Sequence, residues 1–390
     1  MQLNRTDAEA LARASAAAFQ SGRAAEARQG FDRLAAAGQA NAQIWLMLAY
    51  ACRQLGDWAA AERAADEVLR RDEANVRALI VKGDARHALD SAAGSGDRAA
   101  ASFHRKALKI AAQIGNHPPD LAAELERVER EMADFVGRSR RDLEAGLAKA
   151  GFDAPARSPR FQESIEILLE EKQVYFQQPS AYYFPRLPQI QFYEPSEFAW
   201  AAAVEAAAAD MRAELEAVLH EDGLFRPYLQ ARADRPRYDF HGLLDNPAWS
   251  TLYLWENGAP VEKNVARFPR TFAALQAPPL AHIGVRAPSI LFSMLKAGAK
   301  IAAHNGMINT RLICHLPLIV PPACGFRCGN EVREWEEGKL LIFDDTIEHE
   351  AWNDSDQDRI ILIFDVWRPE LTEDEQRAVT AIFETIDNSK

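Results

Sequence analysis

The stretch that decides the fold is Arg359-Ile-Ile-Leu-Ile-Phe-Asp-Val-Trp367, a run rich in β-branched and aromatic residues with turn residues before it. Three similar runs precede it, at 290–295, 311–320 and 339–343, and Gly, Pro, Asn or Asp residues separate them. The short gaps leave no room for crossover helices, which favours antiparallel pairing. The pattern therefore predicts an antiparallel barrel or jelly roll near the end of the chain.

Composition limits the protein to a few classes. The chain has 390 residues, enough for two or three domains, and its formal net charge of -12 disfavours a nucleic-acid partner. Four cysteines do not form a disulfide framework, and the spacing of Cys324 and Cys328 favours ordinary thiols or a local pair over a metal site. The N-terminus has no apolar core, and no apolar run approaches the roughly 18 residues of a membrane span. We therefore expect a cytoplasmic protein without a membrane partner.

The first third of the chain repeats with a period of 34 residues. Gly22 and Gly56 are one period apart, as are Asn41 and Asn75. Together with Trp45 and other positions, this pattern resembles tetratricopeptide repeats, in which each unit is a pair of antiparallel helices. The alternative is an Ala-rich helical bundle without true repeats. If the repeats are true tetratricopeptide repeats, they stack into a solenoid. Solenoids of this kind bind peptides on a concave face and carry no catalytic chemistry of their own.

These patterns predict a multidomain protein with α and β parts. We expect a tetratricopeptide-like helical solenoid at 1–135, a helical connector at 136–178 and a jelly-roll domain, braced by helices, at 179–390. The core of the jelly roll is expected at about 285–370.

Two histidines on the predicted strands are candidate metal ligands. His304 and His349 are 45 residues apart, and imidazole suits Fe(II) among other metals. Spacing alone is a weak signal, because a lone histidine is more often structural. A facial triad would also need a carboxylate two residues after the first histidine, and Gly306 stands there.

Six motifs in the same region strengthen the assignment through a family resemblance. The motifs are His304-x-Gly306, Arg311-Leu-x-x-His315-Leu, Cys324-x-x-Arg-Cys-x-Asn-Glu331, Trp335-Glu-Glu-Gly-Lys-x-Leu-Ile-Phe-Asp-Asp345, Glu348-His-Glu-x-Trp352 and Asp365-Val-Trp-x-Pro-Glu-Leu371. Their order and spacing resemble the aspartyl/asparaginyl β-hydroxylase family over roughly residues 180–375, and vertebrate members of that family also carry tetratricopeptide repeats.

The resemblance implies Fe(II)- and 2-oxoglutarate-dependent hydroxylation on a double-stranded β-helix. His304 and His349 would be the iron ligands, without further catalytic residues. Some members bind iron through two histidines only and have glycine where the carboxylate would be, so Gly306 agrees with that subgroup. The neighbouring pair Asp344 and Asp345 is expected to shape the loop before His349 and not to bind the metal.

The resemblance also implies a 2-oxoglutarate site. Arg359 corresponds to the arginine that pairs with the distal carboxylate, and a guanidinium fork suits that pairing. The other expected contacts are Ser293, His315, Trp255 and Arg311. Each has a plainer alternative, as a strand or core residue.

One position departs from the family pattern. Ile313 stands where many members have an arginine that holds the first carboxylate of 2-oxoglutarate. Alternation along a strand puts Arg311 on the same face as Ile313. Either Arg311 compensates for the missing arginine, or the affinity for 2-oxoglutarate is lower.

Three functions follow as hypotheses. The first is hydroxylation, with O2, of Asp or Asn at the β-carbon in a peptide or protein held by the repeats. The second is an oxygenase for a free amino acid, a lipid or a peptide natural product. The third is a binding scaffold that has lost activity, motivated by Ile313 and the missing carboxylate. The sequence does not name the substrate.

Overall fold

The computed structural model describes residues 4–94, 97–231, 233 and 236–389. Its contacts divide the chain into two compact units, Met1–Leu169 and Glu170–Lys390. Within the described residues, every helix is too short or too polar to cross a membrane.

The first unit is entirely helical. Six helices form three consecutive antiparallel hairpins, and a long seventh helix and a short eighth follow. Their bounds are α1 Arg5–Gln20, α2 Ala24–Ala36, α3 Ala42–Gln54, α4 Trp58–Leu69, α5 Val76–Ala93, α6 Arg98–Ile114, α7 Pro119–Lys149 and α8 Pro159–Leu168.

The positions that repeat every 34 residues have the same structural role in successive hairpins. The side chains of Asn41 and Asn75 cap α3 and α5, accepting from backbone N–H groups at 2.9 and 3.1 Å. Gly22 and Gly56 end α1 and α3 with φ of 78° and 72°, a left-handed conformation that favours glycine. The predicted repeats are therefore confirmed as helical hairpins.

The observed boundary differs from the predicted ones at 135 and 178. Helix α7 runs through residue 135 without a break, because an amphipathic pattern with good helix formers continues to Lys149. The division at 169/170 also assigns the extended segment before residue 179 to the second unit. Gln177 in that segment is buried and donates to Asp344 Oδ2 at 2.6 Å.

The second unit contains two antiparallel sheets. Between β5 and β12 the chain passes back and forth between them, which gives the predicted jelly-roll topology. The major sheet has the order β1-β10-β7-β12-β5-β3-β2, with β4 paired to β3, and the minor sheet has the order β6-β11-β8-β9. The strands are β1 Phe192–Tyr193, β2 Arg226–Pro227, β3 Trp249–Glu256, β4 Ala259–Pro260, β5 Ile290–Leu295, β6 Lys300–His304, β7 Arg311–Ile319, β8 Cys324–Cys328, β9 Glu331–Glu334, β10 Leu341–Phe343, β11 His349–Asn353 and β12 Arg359–Trp367.

Each face of the major sheet has its own hydrophobic core. On one face, residues such as Leu362 and Phe364 pack against Met211 and Leu215 of the helices. On the other face, side chains of both sheets meet, and six of the candidate site residues lie on this side. The remaining helices are α9 Ala201–Ala206, α10 Ala208–Glu216, α11 Glu262–Val265, α12 Pro269–Ala274 and α13 Glu373–Asn388.

Candidate active site

Six of the seven predicted site residues line one cavity of about 780 Å³ in the second unit. Its walls come from strands of both sheets and from the segment that precedes β3. The six are Ser293, His304, Arg311, His315, His349 and Arg359.

The two candidate metal ligands are neighbours across the minor sheet. His304 ends β6, His349 begins β11, and the two residues lie opposite each other with ring centroids 4.1 Å apart. The Nδ1 atom of each ring lies near the carbonyl oxygen two residues earlier, at 2.8 Å for His304 and 3.0 Å for His349. These bonds are satisfied when Nδ1 carries the proton, which leaves both Nε2 lone pairs available to a metal ion.

Burial keeps both imidazoles in the neutral form that binds metals. Burial, followed by the neighbouring charge of His304, lowers the pKa of His349 to about 3. Burial also lowers the pKa of His304. Neither ring therefore has to lose a proton when it takes up a metal ion near neutral pH.

A carboxylate lies close to Gly306, the position where the facial triad would have one. A Cβ atom at residue 306 would lie 2.1 Å from Oδ2 of Asp345, so only glycine leaves room for that side chain. Asp345 is buried, and its Oδ1 has no hydrogen-bond partner among the described residues. Burial raises the pKa of Asp345 to about 6.

Arg311 lies in the cavity and is bound by two carboxylates of the protein. Its guanidinium is 3.2 Å from the carboxylate of Asp345 and 3.2 Å from that of Asp365. Asp345 lies in the loop between β10 and β11, and Asp365 lies on β12. Ile313 also lines the cavity, in agreement with the predicted alternation along β7. Arg311 is thus on the expected face, and its charge is already balanced by protein carboxylates.

Arg359 presents a different electrostatic situation. Its side chain is 1% exposed, and Nε and Nη2 have no hydrogen-bond partner in the described part of the chain. Its guanidinium carbon lies 4.4 Å from the centroid of the Trp335 ring, and burial lowers the pKa of the guanidinium to about 9. A buried cation with unused donors that faces a cavity is suited to an anionic ligand.

Ser293 and His315 bring neutral polar groups to the same cavity. Ser293 lies opposite Ile361, two residues along β12 from Arg359. The Nδ1 atom of His315 is buried and unpartnered within the described ranges, and burial, followed by the charge of Arg359, lowers its pKa far below the usual value. Both residues can donate a hydrogen bond to an anion without adding charge.

Trp255 does not lie with the other six residues. It stacks on Phe272, with centroids 6.2 Å apart, and packs into the core on the helix-covered face of the major sheet. A register shift in β3 between Tyr253 and Trp255 breaks the alternation and turns this side chain away from the cavity. The tryptophan in the cavity is Trp249, whose Nε1 donates to Ser293 Oγ at 3.1 Å.

Several further cavity residues were not among the predicted contacts, and three of them, Asp345, Asp365 and Trp249, contact the predicted ones. Asp365 is six residues after Arg359 on β12, so the period of two could have placed it on the same face. Trp249 lies six residues before Trp255 on β3, and as a tryptophan on a strand it was an equally good candidate for the cavity. Asp345 carried no signal beyond its position in the loop before His349.

The first unit also contains a group of potential ligand residues. Asp84, His104 and Glu131 bring ligand atoms within 4.8 Å of one another. Arg53 and Arg127 bind Asp84 at 3.0 Å each, and Arg127 binds Glu131 at 2.8 Å. Burial opposes ionisation of Asp84, but His104 and both arginines outweigh it and hold the pKa of Asp84 below its usual value. The group is an ion-pair network in which the carboxylates are already bound by arginines, and it joins the helices.

The four cysteines are free and buried, as expected for ordinary thiols. Cys324 donates to Asn353 Oδ1 at 3.2 Å, and Cys328 lies 3.6 Å from the carbonyl oxygen of Gln191. Burial raises the pKa of both thiols, so neither is activated as a thiolate.

Comparison with known proteins identifies a family model and several relatives that match parts of the chain. The family model described as aspartyl/asparaginyl beta-hydroxylase matches residues 205–369. The ornithine lipid ester-linked acyl 2-hydroxylase of Rhizobium tropici is 33% identical over 228 residues, which cover 58% of this chain and 74% of that protein. The aspartyl/asparaginyl beta-hydroxylases of Mus musculus and Homo sapiens are 43% and 42% identical over 135 residues, or 34% of this chain. The chain spans 18% of the length of the mouse and human proteins.

Solved structures similar to the chain include tetratricopeptide domains. The first such domain of the Spaghetti protein, bound to an HSP90 peptide, is 20% identical with a TM-score of 0.27, and covers 34% of this chain and 98% of that one. PcrH from Pseudomonas aeruginosa is 19% identical with a TM-score of 0.28, and covers 34% of this chain and 93% of that one.

Proposed function

Because the chain belongs to the aspartyl/asparaginyl β-hydroxylase family, we propose that it is an Fe(II)- and 2-oxoglutarate-dependent dioxygenase. Its substrate would be an Asp or Asn residue, hydroxylated at the β-carbon, or a similar residue in a peptide or protein. The observation that carries the proposal is the Arg359 guanidinium, whose Nε and Nη2 have no hydrogen-bond partner among the described residues, in the same cavity as two neutral, adjacent imidazoles.

The histidine pair fits an iron ion. His304 and His349 would bind it through Nε2, because a backbone carbonyl engages Nδ1 of each ring. Nitrogen ligands from imidazole suit Fe(II), and two protein ligands leave positions for a cosubstrate and O2. Asp345 adds a buried carboxylate to the same cavity, and its Oδ1 has no hydrogen-bond partner among the described residues.

Arg359 fits the distal carboxylate of 2-oxoglutarate. Its unused Nε–H and Nη2–H groups would bind that anion in a bidentate pair, and the Ser293 hydroxyl would add a neutral donor. His315 would donate through Nδ1 to a carboxylate oxygen, since no protein group accepts from that atom in the described residues. Arg311 is balanced by Asp345 and Asp365, so its assistance to the cosubstrate would be weak.

When bound, iron and 2-oxoglutarate supply the oxidising chemistry: O2 delivers one oxygen atom to succinate and the other to a substrate C–H bond, with loss of CO2. The protein would hold the metal through the imidazoles of His304 and His349 and would orient the cosubstrate through Arg359. Aromatic side chains, including Phe326, Phe343 and Trp249, line the cavity and would help to exclude water from the reacting groups.

The helical repeats support a peptide or protein as the substrate. Stacked helical hairpins form extended concave surfaces that hold peptides, and the first unit has three such hairpins. On this proposal the repeats bind the substrate chain and the second unit modifies one of its residues.

A lipid substrate is the second candidate. The Rhizobium tropici relative, which the chain matches over 74% of its length, is named as an acyl hydroxylase of a lipid. In addition, the apolar Ile313 lines the cavity where many family members carry an arginine. An apolar wall is suited to an acyl chain.

Succinate formation from 2-oxoglutarate in the presence of Fe(II) and air tests the activity. We expect the wild type to form succinate slowly without substrate and His349→Ala to form none, because one imidazole is lost from the metal site. His220→Ala changes a histidine of the same unit outside the cavity and should behave as the wild type. Absence of both succinate formation and iron binding in the wild type would contradict the proposal and favour the inactive scaffold.

The two substrate classes separate in the same assay. Peptides containing Asp or Asn should accelerate wild-type succinate formation and gain 16 Da in mass spectra if the first candidate holds. Vesicles of ornithine lipid should do so if the second holds. Acceleration by vesicles alone would overturn the assignment of a peptide substrate.

Trp249→Phe should raise the KM for 2-oxoglutarate about 3- to 10-fold with little change in kcat. The substitution removes the Nε1–H donor to Ser293 Oγ, and a lost hydrogen bond costs about 0.5–1.5 kcal/mol. Trp255→Phe is the matched control, since Trp255 packs on the other face of the sheet. An equal rise in KM for both variants would show that the effect is not specific to the cavity.

A further inference from the structure

Five residues join β10 to β11, and the first four, Asp344–Ile347, form a loop that Glu348 separates from His349. The carbonyl oxygen of Ile347, at the end of the Asp344–Ile347 loop, lies 3.0 Å from His349 Nδ1. The N–H of Ile347 in turn donates to the carbonyl oxygen of Asp344 at 3.1 Å, which closes the loop as a turn. The position of this turn therefore sets the orientation of the His349 ring.

The same loop also holds the segment that follows His304. The carbonyl oxygen of Asp345 accepts from the N–H of Gly306 at 2.6 Å. The carbonyl oxygen of Thr346 accepts from the side-chain amide of Asn305 at 2.9 Å. One short loop is thus bonded to both histidine-bearing segments, and a shift of the loop would move the two imidazoles relative to each other.

The side chain of Asp344, which is completely buried, holds the loop in place through hydrogen bonds. Its Oδ1 accepts from the backbone N–H and the hydroxyl of Thr346, at 3.0 and 2.6 Å. Its Oδ2 accepts from Gln177 Nε2 and from Arg368 Nη1, at 2.6 Å each. The two aspartates of the pair have different roles, because Asp345 lines the cavity and Asp344 does not.

Arg368, which follows β12, balances the charge of Asp344. Its side chain is also completely buried, and it donates to the carbonyl oxygen of Pro188 at 3.0 Å and to Tyr193 Oη. Glu370 lies 3.3 Å from its Nε. A buried ion pair of this kind contributes little net stability, whereas loss of one partner leaves a costly lone charge.

We propose that Asp344 and Arg368 are positioning residues of the metal site, which hold the Asp344–Ile347 loop so that both imidazoles converge on one ion. The inference rests on the proposed function, since it assumes that His304 and His349 bind a metal ion. Residues that orient metal ligands typically change metal affinity about 10- to 100-fold when they are replaced.

The double variant Asp344→Asn/Arg368→Met tests the proposal. It removes both charges together, so no lone charge stays buried and the metal-free protein should melt within a few degrees of the wild type. Titration of the metal-free protein with Co(II) should give a dissociation constant about 10- to 100-fold above that of the wild type. The visible absorption bands of bound Co(II) should also shift, because they report the arrangement of the ligands.

Asp387→Asn/Arg286→Met is the matched control. It removes another ion pair of the second unit, with a distance of 2.7 Å, between residues that do not line the cavity. We expect wild-type Co(II) affinity and spectrum from this variant. Equal losses of Co(II) affinity in both double variants would overturn the positioning role.

Thr346 provides a test that keeps the ion pair intact. Thr346→Val removes one hydroxyl bond to Asp344 and should weaken Co(II) binding about 3- to 10-fold, while Thr346→Ser should restore it. Wild-type affinity in both the Asp344 double variant and Thr346→Val would overturn the proposal. Failure of the wild type to bind Co(II) or Fe(II) would instead refute the proposed function, and the positioning role with it.

Discussion

Arg359→Met should melt at a higher temperature than the wild type and should no longer respond to 2-oxoglutarate. In the absence of a ligand, Arg359 is a buried cation whose Nε and Nη2 find no partner among the described residues. Methionine fills a similar volume without a charge, so removal of the unsatisfied donors should raise the free energy of unfolding by about 1–3 kcal/mol. The cation–π contact with Trp335 offsets part of this gain.

The same substitution removes the anchor of the cosubstrate. Loss of a desolvated charge pair costs about 2–5 kcal/mol, so 2-oxoglutarate should bind at least about 30-fold more weakly. Thermal unfolding with and without 2-oxoglutarate, in the presence of a redox-inert divalent metal, measures both effects in one experiment. Succinate formation should fall in parallel.

Arg267→Met is the matched control for this experiment. Arg267 is an arginine of the same unit that pairs with Glu221 and does not line the cavity. It should retain the shift in melting temperature caused by 2-oxoglutarate. A destabilised Arg359→Met protein would contradict the view that Arg359 is strained without ligand. An undiminished response to 2-oxoglutarate would show that another residue anchors the cosubstrate.

The repeats could be predicted from the sequence because their determinants are local. Asn41 and Asn75 cap helices through their own side chains, and Gly22 and Gly56 adopt a backbone conformation that other residues avoid. Each effect acts within a few residues of the chain. Their recurrence every 34 residues therefore carries over directly into successive hairpins.

The two candidate metal ligands could not be predicted from local sequence in this way. His304 and His349 are far apart along the chain, and the pairing of β6 with β11 brings them together. Spacing alone did not predict that pairing, and the family resemblance identified it. The surroundings of Arg311 depended in the same way on tertiary structure. The alternation predicted its face, but Asp345 and Asp365 come from separate segments, and no local pattern indicated that they would balance its charge.

Trp255 illustrates the limit of periodicity. Trp249 and Trp255 are six residues apart, so a regular strand would put both on the same face. One extra residue between Tyr253 and Trp255 turns the Trp255 side chain to the opposite face of the sheet. A bulge of this kind depends on how β3 pairs with β5, and the sequence of β3 alone did not indicate it.

Gly306→Asp, which would restore the missing carboxylate of a facial triad, should inactivate the protein. The space beside Gly306 is filled, because a Cβ at this position would lie 2.1 Å from Oδ2 of Asp345. The backbone has little freedom to move away, since Gly306 donates to the carbonyl oxygen of Asp345 at 2.6 Å and accepts from Ser180 at 3.0 Å. Arg311 also holds the Asp345 carboxylate in place.

We expect the single variant to lose about 1–3 kcal/mol of unfolding free energy through overpacking and to bind Co(II) about 10- to 100-fold more weakly. The matched double variant, Gly306→Asp/Asp345→Gly, moves the carboxylate from one residue to the other at constant charge and should recover most of the Co(II) affinity. Unchanged or tighter Co(II) binding by the single variant would contradict this account. It would mean that the Asp345 side chain moves aside readily and that packing does not require glycine at position 306.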